Sequence, residues 1–538
     1  MSSHSSVANL PVEPRRLGRA PAARVPGRIV VVSERLPIVL TQLPHPQHPQ
    51  HPQDDEGARW RAAPARGALI SALSPVLRDR RGVWIGWPGV TVEELPGIRR
   101  VLAGAIQEGG YSLRPVALTG RDRTGGAEFC GAALWPLFHG LPLECTFERS
   151  HWQAFRRMNR KYARAAARAV SLSEGSDLVW VQDHPLINVA LEMRRLGVQA
   201  PMAFFLHLPF PSPDLFLMLP WRDRLLAALL AYDQIGFQTT TDLTSFLASV
   251  RTLAPWTRLA RGPEGLWSVE VAGQEVASGS GGSRGASRRT TVGVFPVGID
   301  FREVAEGAAR PAVAERAAAL SGAHAGRKIV LGVDRLDRSK GLPEKLRAFA
   351  ELLARRPELR EKVSLVQVVV PARENLPRHA ALRADLEQRV GEINGRFGVP
   401  GWVPVHYVHH WLEPDELQAW YRAADVLLVT SLKAGMELVA KEYCAAKPAG
   451  EGALVLSEFA GAAAQLGHGA LLVNPYNVEA TARALHRALR MKPAERAARM
   501  GALRAEVQAH DVFWWSDSFL AAALREPRDE MSGLRSYL

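Results

Sequence analysis

Residues 328–355 read KIVLGVDRLDRSKGLPEKLRAFAELLAR. The first six residues are an apolar, strand-like run, and 342–355 carry their apolar positions at helical spacing. Between them lies Asp334-Arg-Leu-Asp-Arg-Ser-Lys-Gly341, a loop dense in charge. A strand feeding a charged loop and then a helix is the repeating unit of a parallel α/β sheet. The same alternation recurs along the chain. Strand-like runs fall at 28–32, 83–86, 178–182, 202–206, 234–238, 363–370, 403–408, 425–430 and 453–457. Helix-like stretches fall at 151–170, 222–231, 379–396, 413–423 and 435–447. The Gly/Ser-rich stretch 273–290 reads as a flexible surface insertion. Val294-Phe-Pro-Val-Gly-Ile-Asp300 follows it, and the boundary between two α/β halves is placed there.

Composition narrows the class. With 538 residues, 47% hydrophobic and 22% charged, the chain is globular and holds two or three domains at roughly 100–200 residues each. Three cysteines, Cys130, Cys145 and Cys444, are too scattered for a disulfide framework or a zinc site, and buried reduced thiols are expected. No apolar run approaches the length of a membrane span; 203–219 comes nearest, but His207 and three prolines interrupt it. The N-terminal residues lack the apolar core of a secretory leader, and a cytoplasmic location is expected. Lys and Arg exceed Asp and Glu by 67 − 54 = 13. Much of the excess is assigned to residues 1–28 and to Arg284, Arg288 and Arg289, so nucleic acid is not the expected partner. A basic cleft for a small anionic substrate fits better. The thrice-repeated His-Pro-Gln of 45–53 lies in an expected mobile loop, 41–66, and itself reads as extended chain, or else as a metal-binding His tract.

Polar residues gather where the strands end. Strand 28–32 runs into Ser33-Glu34-Arg35, strand 178–182 into Asp183-His184, and strand 202–206 into His207. Strand 328–333 runs into the charged loop, and 425–430 ends at Thr430 before a helix opening near Gly435. Ligands of open parallel sheets bind beyond these carboxyl ends, so a cleft between two domains is expected. Arg335 and Lys340 before Gly341 suit a diphosphate, one as a fork and one as a point charge. A phosphate-loop motif and a well-placed Gly-x-Gly-x-x-Gly are both missing, which argues against a nucleotide triphosphatase and a dinucleotide dehydrogenase.

Taken together, Val30-Val-Val-Ser-Glu-Arg-Leu-Pro37, Trp84-Ile-Gly-Trp87, Leu134-Trp-Pro-Leu-Phe-His139, Val181-Gln-Asp183 and Phe204-Phe-Leu-His-Leu-Pro-Phe-Pro211 resemble the trehalose-6-phosphate synthase family. The likeness continues through Phe295-Pro-Val-Gly-Ile-Asp300, Val333–Gly341, Leu438-Val-Ala-Lys-Glu-Tyr443, Leu456-Ser-Glu-Phe-Ala-Gly461 and Asn474-Pro-Tyr476. It implies a glycosyltransferase-B fold, two Rossmann-like domains facing a central cleft. The N-terminal acceptor domain would span 28–300 after a disordered tail, 1–27, and the nucleotide-sugar domain 301–538, with a C-terminal helix crossing back. The implied reaction moves glucose from UDP-glucose to a phosphorylated acceptor with retention, needing no metal or cofactor, with the departing phosphate helping to deprotonate the acceptor. By motif, Arg335 and Lys340 would hold the diphosphate and Glu442 the ribose. Met436, Leu438 and Val439 would line the donor site, His207 would touch the donor sugar, and Asp183 the reacting hydroxyls. Arg35, Trp135 and Arg373 would surround the acceptor phosphate. Trp87 and Gly67 would line the cleft, Gly67 on the closing loop. The alternative for the two Trp is core packing. A homo-oligomer is left open.

Four positions depart from the family pattern. Lys433-Ala-Gly-Met-Glu-Leu438 stands where the family usually has Arg-Asp-Gly-Met-Asn-Leu. Ala434 loses a sugar hydrogen bond, and Glu437 weakens the diphosphate site if it points inward. His184-Pro185 replaces Tyr-His, and Gly126 replaces an acceptor-phosphate Tyr, which opens space and removes a hydroxyl donor whose place Arg338 is a candidate to take. Arg66-Gly67 stands for a two-glycine turn. Glucose 6-phosphate is the expected acceptor; glycerol 3-phosphate, a cyclitol, or no transfer at all in a regulatory protein are the alternatives.

Overall fold

A computed structural model describes residues 28–42, 60–65, 68–92, 94–98, 101–102, 104, 110–171, 177–271, 288–324, 326–372, 377–448 and 450–524. Its frame is two large sheets. In the nine-stranded sheet the spatial order is Ser112–Pro115, Val83–Trp87, Ile29–Arg35, Leu178–Gln182, Met202–Phe205, Gln234–Phe237, Arg288–Val294, Trp267–Val271 and Thr257–Arg261. The first seven are parallel, and the last two are joined on by antiparallel pairings. The second sheet is six-stranded and parallel throughout, in the order Val405–Val408, Val363–Val370, Lys328–Arg335, Val426–Val429, Ala453–Ser457 and Leu471–Val473.

Both sheets are doubly wound. After Ile29–Arg35 the chain builds outward on one side, then returns to place Leu178–Gln182 on the other. After Lys328–Arg335 it does the same, and Val426–Val429 takes the opposite side. A crevice opens at each such reversal, beyond the carboxyl ends of the two central strands. Lys328–Arg335 is buried along its six central residues, as a Val/Ile/Leu-rich strand covered on both faces must be. The helix Leu342–Arg355 starts with Pro343 and Glu344 in its first turn, where a missing N–H and a negative charge are both tolerated.

The last helix, Val512–Ala523, packs on the first sheet. Its Phe519 stacks on Trp180 at 4.8 Å, and its carbonyl accepts from Gln234. Among the described residues no helix is long and apolar enough to cross a membrane.

Three local expectations are corrected. Residues 288–290 lie not in a flexible insertion but in the strand Arg288–Val294. Arg288 pairs with Asp233 at 3.0 Å, and Arg289 with its cross-strand neighbour Glu270 at 2.6 Å. Their charge is therefore balanced locally. The ends of the loop expected at 41–66 are an antiparallel ladder, Ile38–Gln42 with Trp60–Pro64. Cys145 is half-buried, unlike Cys130 and Cys444. The His-Pro-Gln stretch and the Gly/Ser run 279–283 lie outside the described residues.

Candidate active site

At the reversal of the first sheet, the pairing of Ile29–Arg35 with Val83–Trp87 shifts register between Val32 and Arg35. Such a bulge re-aims the side chains after it. Here it brings Arg35 opposite Trp87, with the Arg35 guanidinium 4.9 Å from the ring centroid. A second cation, Arg123, lies 5.4 Å from the same ring. Sequence reasoning missed Arg123; its signal was a place three residues before Gly126 on one helix, Gly120–Phe129. The Trp87 indole donates to the Val90 carbonyl at 2.7 Å, which fixes the ring that both guanidinium groups approach. Trp87 is buried and belongs to the hydrophobic core of the first sheet, as the core-packing alternative has it.

On the neighbouring strand, Asp183 adopts φ 69, ψ 167, a region normally reserved for glycine. One carboxylate oxygen accepts from the His207 backbone N–H at 3.2 Å, and the other lies 3.2 Å from Nδ1 of His184. Burial alone would raise this carboxyl, but the His184 and His207 rings and the hydrogen bonds hold it well below the usual carboxylate range. The His207 ring pairs with Gln182 at 2.9 Å; burial pushes its basicity down, against the pull of Asp183. Asp183, His184 and His207 thus form one connected group.

The second reversal carries the cations. Arg335 is largely exposed, its side chain 61% accessible and 3.6 Å from Asp337. Lys340 is drawn in: its ammonium contacts the carboxylate of Glu437. Glu437 does point inward, and its Oε1 also accepts from Ser431 at 2.7 Å. The backbone around it is pinned, with Leu432 N–H donating to Ser339 at 2.7 Å and Gly461 N–H to Ala434 at 2.9 Å. Glu442, half-buried on Leu438–Ala446, accepts from the Tyr421 hydroxyl at 2.8 Å. Burial raises its carboxyl, which the Tyr421 hydrogen bond partly offsets. Met436 and Leu438 pack toward the cluster containing Trp515, and Val439 toward that of the second sheet.

The two halves meet directly. Gly435 lies against the backbone of His207 and Leu208. Arg378 donates to the Gly131 carbonyl at 2.9 Å, inside the π-helical turn Cys130–Leu134. A cavity of about 410 Å³ opens between them, lined by Trp135 and Glu144 from one side and by Asp337, Arg338 and Arg378 from the other. Trp135 stacks on His139 at 4.1 Å there.

Two expectations about the departures are overturned. Gly126 does not open substrate space, because a Cβ there would stand 2.8 Å from Met158 Sδ. Arg338 does not stand free to replace a lost hydroxyl; it forms a two-pronged bridge to Glu344 at 2.9 and 3.0 Å. Gly67 and Arg373 lie outside the described residues. No group of three or more metal-ligating side chains occurs among the described residues.

Two doubly wound parallel sheets that meet where Gly435 rests on the His207 backbone define a glycosyltransferase of the B architecture. The glycosyltransferase family 20 model matches residues 27–525, and the chain belongs to that family. It is 41% identical over 508 residues to the trehalose-6-phosphate synthase of Mycolicibacterium gilvum, covering 94% of this chain and 95% of that protein. The Mycobacterium tuberculosis trehalose-6-phosphate synthase is 40% identical over 505 residues, covering 93% and 95%. Among solved structures, the UDP-forming α,α-trehalose-phosphate synthase of Burkholderia xenovorans with glucose-6-phosphate superimposes at a TM-score of 0.77, with 32% identity and 93% and 100% coverage. The E. coli protein bound with UDP-2-fluoro glucose gives 0.78, with 32% identity and the same coverage.

Proposed function

We propose that this chain transfers glucose, with retention, from UDP-glucose to glucose 6-phosphate, giving trehalose 6-phosphate and UDP. The observation that carries the reading is the contact of Gly435 with the backbone of His207 and Leu208, which sets the strand ends of the two sheets against each other. Arg35 at the end of its strand and Arg123 on a neighbouring helix both approach the Trp87 ring, and Arg335 and Lys340 end the central unit of the second sheet. Relatives at about this distance carry the same activity in their names and bind a UDP-sugar analogue or glucose-6-phosphate.

In this reading Arg335 and Lys340 take the charge that grows on the diphosphate as the anomeric C–O bond breaks. Preorganised cations stabilise a leaving group without reorganising at the moment of reaction. The acceptor hydroxyl adds to the same face, and its proton passes to the departing phosphate oxygen. Asp183, kept ionised, orients sugar hydroxyls by accepting from them, and His207, largely neutral, serves as their partner rather than as a proton donor. Arg35 and Arg123 receive the acceptor phosphate, Arg373 being assigned to the same task by motif alone. Glu442 holds the ribose.

The test is product formation. Purified protein with UDP-glucose is offered glucose 6-phosphate or glycerol 3-phosphate, with UDP release and product mass followed together. Faster turnover of glucose 6-phosphate, with a disaccharide phosphate as product, supports the reading. Preference for glycerol 3-phosphate moves the chain to glucosylglycerol-phosphate synthesis. Bound UDP with neither acceptor turned over marks a regulatory protein.

A further inference from the structure

Lys340 does not face the cleft as a bare cation. Its ammonium rests on Glu437, whose side chain is 2% exposed against 18% for Lys340. The same carboxylate oxygen accepts from Ser431, itself fully buried. Glu437 sits immediately before the helix Leu438–Ala446, at φ 68, ψ 59. This left-handed region is uncommon for a residue with a long side chain and is adopted more readily by Asn. An ammonium, a hydroxyl and a nearby helix N-terminus are the groups a phosphate oxygen takes, and here a carboxylate of the chain itself has taken them.

Resting on the donor-site reading given above, we propose that Glu437 is an internal anion that competes with the diphosphate for Lys340 and must yield the ammonium when the nucleotide binds. Glu437 acts through Lys340 and is a positioning residue, not a catalytic one. With Lys340 neutralised, exposed Arg335 is left to make the first contact with an incoming diphosphate. When UDP leaves, Glu437 recaptures the ammonium. The residue therefore loosens nucleotide binding and favours release of the product.

Calorimetric titration of UDP into wild type, Glu437→Gln and Glu437→Asn tests this. Gln keeps the shape and removes the charge, while Asn suits the left-handed backbone. Both variants are expected to bind UDP at least tenfold more tightly, and the KM for UDP-glucose should fall in parallel. Equal or weaker UDP binding by both variants, with melting temperatures near wild type, would overturn the proposal. If the variants do not fold, a crystal structure of wild type with UDP decides. Lys340 on a phosphate oxygen with Glu437 turned away supports the exchange; Lys340 still on Glu437 and off the diphosphate refutes it. Failure of the donor-site reading looks different: wild type itself would not bind UDP, or Arg335→Ala would bind it unchanged.

Discussion

A Cβ built on Gly435 would stand 2.2 Å from the carbonyl oxygen of His207, so the two halves of the molecule touch through a position that admits no side chain. Gly435→Ala must push the donor loop away from His207. A displacement of about 1 Å at a reacting centre can cost on the order of 10²-fold in rate. We expect kcat/KM to fall by that order while the melting temperature changes little, since each sheet keeps its own core. Steady-state kinetics beside thermal unfolding checks this; an unaffected rate would mean the contact is not part of the working site.

Arg335→Ala should weaken UDP binding about ten- to hundredfold, the equivalent of losing one charge-assisted hydrogen bond of ~1.5–3 kcal/mol. Arg335 is largely exposed and bonded only loosely to Asp337, so folding stability should be unchanged. Calorimetry and a melting curve on the same sample separate binding from folding.

Arg123 and Arg35 share one indole, and both should act on the acceptor alone. Arg123→Ala and Arg35→Ala should each raise the KM for glucose 6-phosphate at least tenfold and leave UDP affinity unchanged. A rise for Arg35→Ala only would remove Arg123 from the acceptor site.

Gly126→Tyr is expected to damage the fold, not to improve the acceptor KM. Its first side-chain carbon already meets Met158, and overpacking a filled helix–helix contact costs ~1–3 kcal/mol. Denaturant unfolding should show a lower midpoint. A lower KM with unchanged stability would restore the idea of open space at this position.

Lys441 gives a pH signature. It is buried, donating to the Val297 carbonyl and to Gln465 at 2.6 Å each, and burial pushes its basicity down to about 7. Glu506 opposes that shift. Between pH 7 and the ordinary lysine range, the unfolded chain binds the extra proton, so stability should climb as pH rises through this window and level off below it. The slope approaches ~1.4 kcal/mol per pH unit at most. Lys441→Gln should flatten that slope in unfolding experiments at pH 7 to 9; an unchanged slope assigns it to other groups.

What the sequence determined by itself is the set of parts. Strand and helix periods are local, and so is the placing of polar residues at strand ends, so the alternation and Arg35, Asp183, His207, Arg335 and Lys340 could all be read along the chain. The family pattern marked Ala434 and Glu437 as departures, yet not which way either faces. Tertiary structure decided the order of the strands, and with it the reversal in each sheet. It also decided the contacts between distant residues. Lys340 and Glu437 are 97 positions apart, Arg378 and Gly131 are 247 apart, and Met158 meets Gly126 across two helices. Arg123 reaches Trp87 only because its helix is laid beside that strand. Local pattern fixes which face of an element is buried; which other element covers it depends on packing that no single stretch of sequence encodes.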